Sequence, residues 1–596
     1  MNIYKRLVRD WRFLSGLART LGRIRSIGPS SPNLICNDLE AAVSRWRDRP
    51  AITFADQTLT YGQMDALANR YAHWALAQGF KRGDTVALFS LNRIDYVSIW
   101  YGLSKVGVVT ALINNQLTGQ ALGHCLNISG ASHVLVDPFA APILEAARGE
   151  LAGSVTAWRL GTGGTEPADL AHALSQMSDL PPTRAVRAGM TAADTALLMF
   201  TSGTTGLPKA AKVKHSRVQL YMRGFAGATG AGREDRIYIA LPLYHATGGL
   251  CGVGAALLNG GSLLIRERFS TATFWSDLVA EQCTMFVYIG ELCRYLVNSP
   301  VDPKEQSHKV RLAFGNGMVP DVWVQVETRF QVPRVLEFYG STEGNVSMFN
   351  FDGQLGAIGR APRWLGRTFN FTLAQFDVET EQPVRSSGGY CLEARVDQVG
   401  ECIGRIESDN ARADFSGYVD TTASEKKILR NVFAPGDAWF RTGDLMRRDG
   451  DGYFFFVDRV GDTFRWKGEN VSTGEVAQRL QADPGVIEAN VYGVKVPGAD
   501  GRAGMAALVV DDRFDLSSFG QRVGRDLPAY AQPVFLRLIS GLAVTGTFKH
   551  RKVDLVAQGF DPEAIGSPVY VRSPDASYHE MTPAELAEIR AGHKRL

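Results

Sequence analysis

The sequence predicts an α/β fold with largely parallel sheets, because strand-like and helix-like runs alternate along the chain. Short apolar runs of strand length lie at Thr85–Phe89, Val134–Val136, Ala196–Phe200 and Arg236–Leu241. Amphipathic segments of helical length, such as Tyr61–Gln78, separate them. This alternation is typical of parallel strands connected by helices.

The chain is also too long for a single hydrophobic core. Its 596 residues exceed the size at which one core stops growing, so we expect at least two domains. A second, smaller set of strand-like runs follows a cluster of charged and turn-forming residues near Asp458, at Val486–Val494, Met505–Val510 and Val534–Ile539. We therefore predict an N-terminal segment (1–28), a large domain (29–457) and a small α+β domain (458–596).

Composition and charge argue against several classes of protein. Apolar residues make up 45% of the chain and charged residues 21%, which is ordinary for a globular enzyme and not for a disordered chain. The net charge of +3 is too small to indicate a nucleic-acid partner. The 7 cysteines include no Cys-x-x-Cys pair, so we expect neither a disulfide framework nor a zinc site. A reducing, cytoplasmic compartment fits best.

Residues 1–28 have a basic amphipathic pattern. Apolar residues from Ile3 to Ile24 fall on one helical face, within an arc of about 140°, and most of the basic residues lie opposite; Arg6 and Arg25 interrupt the pattern. Two interpretations stay open. The helix lies on an anionic membrane surface, at the inner face of a membrane, or it packs on the protein body with a solvated basic face.

One uncharged stretch, Leu241–Ile265, is long enough to suggest a membrane span. It contains Pro242, His245, Asn259 and several glycines, which dilute its hydrophobicity. We therefore expect a buried helix with flanking loops there.

A loop rich in glycine and hydroxyl side chains follows the strand-like run Ala196–Phe200. Glycines let backbone N–H groups approach an anion closely, hydroxyls add donors and a lysine adds positive charge. The loop is not a Walker A loop, because Pro208 precedes the lysine and Ala210 follows it. We expect it to bind the β- and γ-phosphates of a nucleotide through Thr201, Ser202, Gly203, Thr204, Thr205, Gly206 and Lys209.

Four motifs, in order, resemble the signatures of the acyl-adenylate-forming superfamily, which includes acyl-CoA synthetases, firefly luciferases and peptide-synthetase adenylation domains. They are the phosphate loop at Thr201–Lys209 and the segments Tyr339–Gly344, Trp439–Asp444 and Asp458–Ser472. The last segment, together with Thr545–Lys549, is similar to the form found in very-long-chain acyl-CoA synthetases and fatty acid transport proteins.

This resemblance implies a large N-terminal adenylate-forming domain with several subdomains and a small, mobile C-terminal domain. It also implies a reaction that uses ATP, Mg²⁺ and coenzyme A. A fatty acid carboxylate attacks the α-phosphorus of ATP to form acyl-AMP, and the thiol of coenzyme A then displaces AMP. Because a carboxyl group with a pKa of about 4 is already ionised at neutral pH, the first step needs positioning and charge neutralisation and no general base.

The resemblance also assigns the nucleotide-facing residues. Glu343 supplies an oxygen ligand for Mg²⁺, which prefers such ligands, and Thr342 contacts the α-phosphate. The adenine side is expected to be formed by Tyr339 and Gly340 together with the turn Gly315, Asn316 and Gly317. The ribose is expected to be held by Asp444, whose carboxylate can accept two hydrogen bonds, and by Arg459.

The small domain is expected to carry the catalytic lysine, Lys549, which bridges the α-phosphate and the attacking carboxylate. Rotation about Gly461 would then withdraw it and present the loop with Lys467 and Gly468 to coenzyme A. Two positions depart from the common superfamily pattern: Phe548 replaces a glycine, and Gly461 replaces an acidic or basic hinge residue. Both departures agree with the very-long-chain subfamily.

Two features are expected to shape the acyl pocket. His245 is expected at the junction of the acyl and nucleotide pockets, where it gates the acid; a core histidine is the alternative. The segment Tyr288–Glu291 resembles the acyl-pocket wall of the subfamily, where Gly290 opens a path for a chain by lacking a side chain.

Two rival functions stay open. The acid could instead be another bulky one, bile-acid-like or aromatic, or the protein could bind fatty acids for uptake without chemistry. A pure carrier has no use for a nucleotide site, although uptake could be driven by trapping the acid as its thioester.

Overall fold

The computed structural model of the chain describes residues 3–161, 168–201, 207–467, 469–499, 501–541, 552–594 and 596. The predicted α/β class is confirmed. The chain divides into two compact units, which are described separately below: unit 1 comprises Met1–Arg360 and Gly404–Leu429, and unit 2 comprises Ala361–Ile403 and Arg430–Leu596. The boundary predicted between residues 457 and 458 does not coincide with this division, and it stays a prediction.

Helices occur throughout the described residues. The α-helices are α1 (Ile3–Ile24), α2 (Ile35–Trp46), α3 (Tyr61–Ala77), α4 (Tyr96–Lys105), α5 (Gly119–Ser129), α6 (Ala141–Ala146), α7 (Leu170–Ser175), α8 (His215–Ala228), α9 (Val253–Leu257), α10 (Thr271–Ala280), α11 (Gly290–Asn298), α12 (Pro320–Thr328), α13 (Thr421–Glu425), α14 (Thr473–Gln481), α15 (Leu516–Asp526), α16 (Val553–Gln558), α17 (Pro562–Ile565) and α18 (Pro583–Arg590). Short 3₁₀ turns span Arg148–Glu150, Arg184–Arg187 and Arg363–Thr368, and a π-helical segment spans Thr247–Gly252.

The strands up to residue 360 are β1 (Pro50–Phe54), β2 (Gln57–Thr60), β3 (Thr85–Phe89), β4 (Val109–Leu112), β5 (His133–Val136), β6 (Thr156–Arg159), β7 (Ala168–Asp169), β8 (Thr195–Thr201), β9 (Lys209–Lys214), β10 (Arg236–Ile239), β11 (Ser262–Ile265), β12 (Met285–Ile289), β13 (Leu312–Asn316), β14 (Val335–Gly340), β15 (Ser347–Phe349) and β16 (Gly359–Arg360). The later strands are β17 (Phe371–Asp377), β18 (Gln382–Pro383), β19 (Val399–Arg405), β20 (Ile428–Arg430), β21 (Ala438–Arg448), β22 (Tyr453–Arg459), β23 (Phe464–Trp466), β24 (Glu469–Val471), β25 (Val486–Val494), β26 (Ala503–Val510), β27 (Phe535–Leu538), β28 (Tyr570–Arg572) and β29 (Tyr578–Glu580).

Two large sheets form the framework of unit 1. The first has 8 strands in the order β15-β14-β13-β12-β10-β11-β1-β2, and its inner strands run parallel. The second has 7 strands in the order β7-β6-β5-β3-β4-β8-β9, in which β8 and β9 pair antiparallel. Their central strands are apolar and almost entirely buried, as expected for parallel strands covered by helices on both faces.

Helix α1 packs on α8 through a face that the hydrophobic pattern did not single out. Phe13 and Thr20 are buried, and a Cβ atom added at Gly16 would lie 2.5 Å from the ring of Phe351. On the same side Arg23 donates a 2.7 Å hydrogen bond to Asn259 Oδ1. The helix therefore does lie against the protein body, although its basic face is not simply solvated.

The apolar face predicted for this helix points away from the body over much of its length. Leu7, Trp11 and Leu14 are 65%, 69% and 41% exposed. None of the helices in the described parts of the chain combines the length and the apolar character needed to cross a membrane. The uncharged stretch Leu241–Ile265 folds instead into a loop, the π-helical segment, α9 and β11, all largely buried.

Unit 2 contains a sheet in which β18, β17, β19, β21 and β22 lie side by side, the hairpin β23-β24 and a sheet of 5 strands in the order β25-β26-β27-β28-β29. Helices α14 and α16 pack on β25. The resulting core includes Leu508, Phe519, Phe535 and Ile589. All 7 cysteines of the chain are buried and free of disulfides.

Candidate active site

The carboxyl ends of the parallel strands in the first sheet carry one group of the predicted site residues. His245 follows β10, the turn Gly315–Gly317 ends β13, and the segment Tyr339–Glu343 ends β14 and enters the turn after it. Because parallel strands end at the same edge of a sheet, and ligands of open α/β sheets bind at that edge, these residues share one candidate site.

The phosphate loop joins β8 to β9. Thr201 and Lys209 face each other across the antiparallel pair, so they stand opposite each other at the base of the loop. The remaining predicted loop residues, Ser202, Gly203, Thr204, Thr205 and Gly206, lie outside the described residues.

Tyr418, which the sequence analysis did not identify, connects three of the predicted residues. Its hydroxyl donates a 2.8 Å hydrogen bond to Glu343 Oε1 and is hydrogen-bonded to the side chain of Thr201. The ammonium of Lys209 lies 5.7 Å from the centre of its ring. Burial and the neighbouring Glu343 raise the pKa of Tyr418 well above its ordinary value, so the hydroxyl keeps its proton. One buried tyrosine thus links the phosphate loop to the predicted metal ligand.

Backbone pairing holds Tyr418 in place. The segment around it adds to the edge of β9, since Lys212 N donates to Gly417 O and Val419 N donates to Ala210 O. Tyr418 N also donates a 2.8 Å hydrogen bond to Ser424 Oγ. The only local signal in the sequence was a tyrosine after a glycine, which is too common to be diagnostic.

The turn with Thr342 and Glu343 is fixed at both ends. The hydroxyl of Tyr221 in α8 donates a 2.7 Å hydrogen bond to Ser341 O. At the other end, Asn345 Nδ2 donates hydrogen bonds of 2.8 Å to Arg405 O and Ala413 O. The side chains of Thr342 and Glu343 are half-buried, so the turn leaves them partly accessible and does not pack them into the core.

The predicted adenine-side turn offers a hydrogen-bond acceptor that suits a nucleotide base. The side chain of Asn316 is half-buried, and its Oδ1 atom is buried without a hydrogen-bond partner among the described atoms. A buried acceptor of this kind costs free energy unless a donor reaches it, and the exocyclic amine of adenine is such a donor. The half-buried Tyr339 extends the same edge from β14. These residues therefore fit an adenine nucleotide.

Gly290 does not open a path for an acyl chain. A Cβ atom added there would lie 1.8 Å from Gly317 O, so the space beside Gly290 is filled by the backbone of the adenine-side turn. The glycine is needed because two backbone segments approach closely, which corrects the expectation from the sequence.

His245 begins an irregular helical turn. Gly249 N donates a 2.8 Å hydrogen bond to His245 O, and the π-helical segment follows directly. The imidazole is half-buried and its centroid lies 4.3 Å from that of Tyr244. Single π-helical turns often occur at functional sites. A gating role for His245 stays a prediction.

Among the described residues, no group of three or more His, Cys, Asp and Glu side chains could enclose a metal ion. Glu343 is the carboxylate that the turn after β14 presents. This arrangement fits Mg²⁺, which keeps several water ligands and is commonly held by one or two carboxylates together with substrate phosphates.

In unit 2 the structure brings the two predicted ribose residues together. Asp444 in β21 and Arg459 in β22 are cross-strand partners, with Arg459 Nε 3.8 Å from Asp444 Oδ1. The strand before Asp444 is anchored by Arg441, which pairs with the buried carboxylate of Glu401 at 2.8 Å, and by Thr442, whose hydroxyl donates to Cys402 O.

Lys467 lies in the tight turn of the β23-β24 hairpin. Trp466 pairs with Glu469, and Lys467 has a φ of +52° and an exposed side chain. Positive φ values are typical of two-residue hairpin turns. Gly468, Phe548 and the predicted catalytic Lys549 lie outside the described residues.

Lys552, three residues beyond Lys549 in sequence, is tied to the segment that contains the predicted hinge. Its ammonium donates to Thr473 Oγ1 at 2.6 Å and to Asp462 Oδ2 at 3.2 Å. The backbone N–H and hydroxyl of Thr473 in turn donate to Asp458 Oδ2. Burial raises the pKa of Asp458, and the charge of Lys552 opposes that shift.

The chain matches known proteins over most of its length. A sequence profile described as AMP-binding enzyme matches residues 39–392. Long-chain fatty acid transport protein 6 of Mus musculus is 40% identical over 544 residues, covering 89% of this chain and 87% of its own. Long-chain fatty acid transport protein 2 of Rattus norvegicus is 37% identical over 586 residues, covering 97% and 94%.

Solved structures share the fold at lower identity. The anthranilate CoA ligase AuaEII in complex with anthranoyl-AMP superposes with a TM-score of 0.75 at 19% identity, covering 88% of this chain and 97% of its own. ATP-bound MatB from Rhodopseudomonas palustris superposes with a TM-score of 0.73 at 22% identity, covering 88% and 98%. With more than half of its residues matched by the family profile, the chain belongs to the family of AMP-binding enzymes.

Proposed function

We propose that the protein is an ATP-dependent acid–thiol ligase that joins a long- or very-long-chain fatty acid to coenzyme A through an acyl-AMP intermediate, releasing pyrophosphate and AMP. The observation that carries the proposal is the link from Thr201 and Lys209 through Tyr418 to Glu343. This link joins the base of a loop rich in hydroxyl side chains, with a lysine at its end, to a carboxylate suited to Mg²⁺, as adenylation requires.

Each residue of this group has a defined task. Lys209 and the donors of the loop neutralise the phosphate oxygens, where negative charge accumulates during adenylation. Tyr418 keeps its proton and donates to Glu343, which fixes the orientation of that carboxylate. Mg²⁺ bound at Glu343 would supply further positive charge beside the phosphates. Asn316 accepts from the adenine amine, and Tyr339 stacks on the base.

The residues of unit 2 complete the cycle in this proposal. Asp444 and Arg459 hold the ribose, and Lys549 neutralises charge while the carboxylate attacks the α-phosphorus. The part of the chain after residue 457 then turns about Gly461 and presents Lys467 and Gly468 to coenzyme A. Turning of this kind is a common gating step between two half-reactions.

The length of the acid is proposed from the relatives, whose names specify long-chain fatty acids. A ligase for a bile-acid-like or aromatic acid is the second candidate, and uptake by thioester trapping is a consequence of either activity. Release of AMP and pyrophosphate is measured with acids of increasing chain length and with bile and aromatic acids, each with and without coenzyme A. The proposal requires that release of AMP and pyrophosphate depends on the acid and is greatest with long-chain fatty acids. If release is greatest with cholate or benzoate, the second candidate replaces the proposal.

We also propose peripheral attachment to an anionic membrane surface through α1. The outward stripe of Leu7, Trp11 and Leu14 is apolar, and the exposed side chains of Arg6 and Arg12 flank it. An apolar stripe bordered by arginines is the composition of helices that lie in the plane of a membrane interface. A long-chain acid partitions into the same interface, so attachment would place the enzyme beside its substrate.

A further inference from the structure

Glu337 is a buried carboxyl group to which the sequence analysis assigned no role. It lies in β14, two residues before Tyr339, and its side chain is almost completely buried, with 1% of the residue exposed. A carboxyl group in such a place is costly unless its oxygens are hydrogen-bonded. Its partners therefore indicate what it does.

Both carboxyl oxygens of Glu337 are hydrogen-bonded. Oε1 accepts from the backbone N–H groups of Gly317 and Met318, the second at 3.2 Å. Oε2 bonds to the hydroxyl of Tyr288 in β12. The carboxyl group thus holds the adenine-side turn on one side and strand β12, which lies beyond β13 in the sheet, on the other.

The sheet register explains how Tyr288 reaches Glu337. Tyr288, Gly315 and Glu337 are partners in one row across β12, β13 and β14. A Cβ atom added at Gly315 would lie 2.7 Å from the ring of Tyr288, so the ring crosses over this glycine toward the carboxyl group. The network therefore depends on a glycine that the sequence analysis placed in the nucleotide site.

The 316–318 turn is also held on the side that faces away from Glu337. Gly317 has a φ of +83°, and its carbonyl oxygen packs against the backbone of Gly290. With Gly290 on one side and Glu337 on the other, the position of Asn316 between them is set by backbone contacts.

We propose that Glu337 is a positioning residue for ATP: it sets the adenine-side wall by fixing the 316–318 turn relative to Tyr339. This inference rests on the proposed function and deepens it. Glu337 does not touch the nucleotide; it acts through the turn that bears Asn316 and through the strand that bears Tyr339.

The hydrogen-bond pattern also predicts which substitution is tolerated. In the neutral acid, Oε1 still accepts from both backbone N–H groups while Oε2–H donates to Tyr288. Glutamine reproduces this arrangement, with its amide oxygen on the turn and its NH₂ group on Tyr288. Leucine fills a similar volume but leaves the buried N–H of Met318 and the partly buried N–H of Gly317 without this acceptor.

The test compares Glu337→Leu, Glu337→Gln and Val86→Ala in the full-length protein. Val86 is a fully buried residue of β3 in the other sheet, so Val86→Ala reports on general destabilisation. We expect Glu337→Leu to raise the KM for ATP about 10-fold, the scale of losing buried hydrogen bonds, with kcat and the KM for the fatty acid changed less than about 2-fold. Glu337→Gln should keep the KM for ATP close to the wild-type value, and Val86→Ala should leave it unchanged.

Equal KM values for ATP in Glu337→Leu and Val86→Ala would overturn the inference. A KM for ATP in Glu337→Gln that is raised as much as in Glu337→Leu would overturn it too. If Glu337→Leu does not fold, Glu337→Met takes its place with the same expectation. Failure of the proposed function has a different signature, because the wild-type protein would then form no AMP in response to any acid. In that case binding of a non-hydrolysable ATP analogue, measured by calorimetry, still compares the variants.

Discussion

The hydroxyl of Tyr418 donates to Glu343 Oε1 at 2.8 Å, while the ammonium of Lys209 lies 5.7 Å from the centre of the same aromatic ring. Tyr418 is 4% exposed and its partners Glu343 and Lys209 are half-buried, so both contacts are partly shielded from bulk water and are stronger than on an open surface. The two ends of the proposed phosphate and Mg²⁺ site therefore share one rigid support.

The first prediction tests this role of Tyr418 by removing only its hydroxyl group. Tyr418→Phe keeps the ring beside Lys209 but leaves Glu343 without this donor. We expect acid-dependent ATP–pyrophosphate exchange to fall about 10- to 100-fold, the range for a hydrogen bond to a charged group, and half-saturation to require more Mg²⁺. Tyr570→Phe, at a half-buried tyrosine of β28, is the matched control and should exchange normally. Unchanged exchange in Tyr418→Phe would remove Tyr418 from the site.

A second prediction concerns the pH dependence of stability. Burial raises the pKa of Glu337 from 4.5 to about 8, so the folded protein holds a proton that the unfolded chain releases above its lower pKa. The resulting stabilisation is complete below the unfolded value and is lost as the pH rises toward the folded value. Glutamine does not titrate. The Tm advantage of wild type over Glu337→Gln should therefore shrink as the pH is raised between these two values, and parallel melting curves would contradict the assignment.

Much of the fold follows from local patterns. Thr85–Phe89 and Val486–Val494 form strands with the predicted ends, and Tyr61–Gln78 forms a helix one residue shorter than predicted. The helix begins where predicted because Thr60 accepts from Gln63 N while the Gln63 side chain returns to Thr60 N, an arrangement readable from sequence. Periodicity and capping act over a few residues, so they can be recognised without the structure.

The features that the sequence did not reveal depend on contacts distant in sequence. Tyr418 reaches Glu343 across 75 positions of the chain, and Glu337 reaches Tyr288 across 49. The function of Gly290 is set by a backbone carbonyl that only the sheet register brings near. Periodicity grouped apolar residues of α1 on one face, but it could not show that Leu7, Trp11 and Leu14 on that face are exposed.

The outward stripe of α1 gives the third prediction. Replacing Leu7 and Trp11 together by glutamate should abolish most binding to anionic vesicles, because the apolar contact is lost and two negative charges are added. Point substitutions are preferable to deleting residues 1–28, since Phe13 packs inside the protein. Leu180→Glu is the control, at a leucine that is 68% exposed elsewhere on unit 1.

Activity of the Leu7 and Trp11 double variant with a short, water-soluble acid should remain near the wild-type rate. Sedimentation with phosphatidylserine-containing vesicles measures the binding. If the double variant sediments as well as Leu180→Glu, the stripe has another partner.

The fourth prediction concerns the hinge. Gly461 has a φ of +88°, and an added Cβ atom would meet nothing within 4 Å. Proline cannot adopt this φ, because its ring fixes the angle near −65°. We expect Gly461→Pro to form acyl-AMP but to make acyl-CoA much more slowly, as measured by single-turnover analysis of each half-reaction.

The control for the hinge is Gly353→Pro, since Gly353 has a similar φ of +75° and open surroundings in unit 1. It should leave the ratio of the two half-reactions unchanged. If Gly461→Pro leaves that ratio unchanged as well, Gly461 is not the hinge of the proposed rotation.

The last prediction separates the two half-reactions through Lys549. In the proposed mechanism its charge is needed while the carboxylate attacks the α-phosphorus, whereas in the second step AMP is already the leaving group. Lys549→Ala should therefore lose adenylation by about 10²- to 10³-fold, the usual scale for one preorganised electrostatic contact. Supplied with synthetic acyl-AMP and coenzyme A, the same variant should make acyl-CoA at close to the wild-type rate.

Arg551→Ala, from the same basic run, is the matched control for Lys549→Ala and should retain both half-reactions. A catalytic role, a surface position and a folding defect predict different results for Lys549→Ala. A surface lysine predicts normal rates in both assays, and a folding defect predicts loss in both. Because only the first half-reaction develops charge between the carboxylate and the α-phosphate, selective loss of that step is the outcome that the proposed mechanism requires.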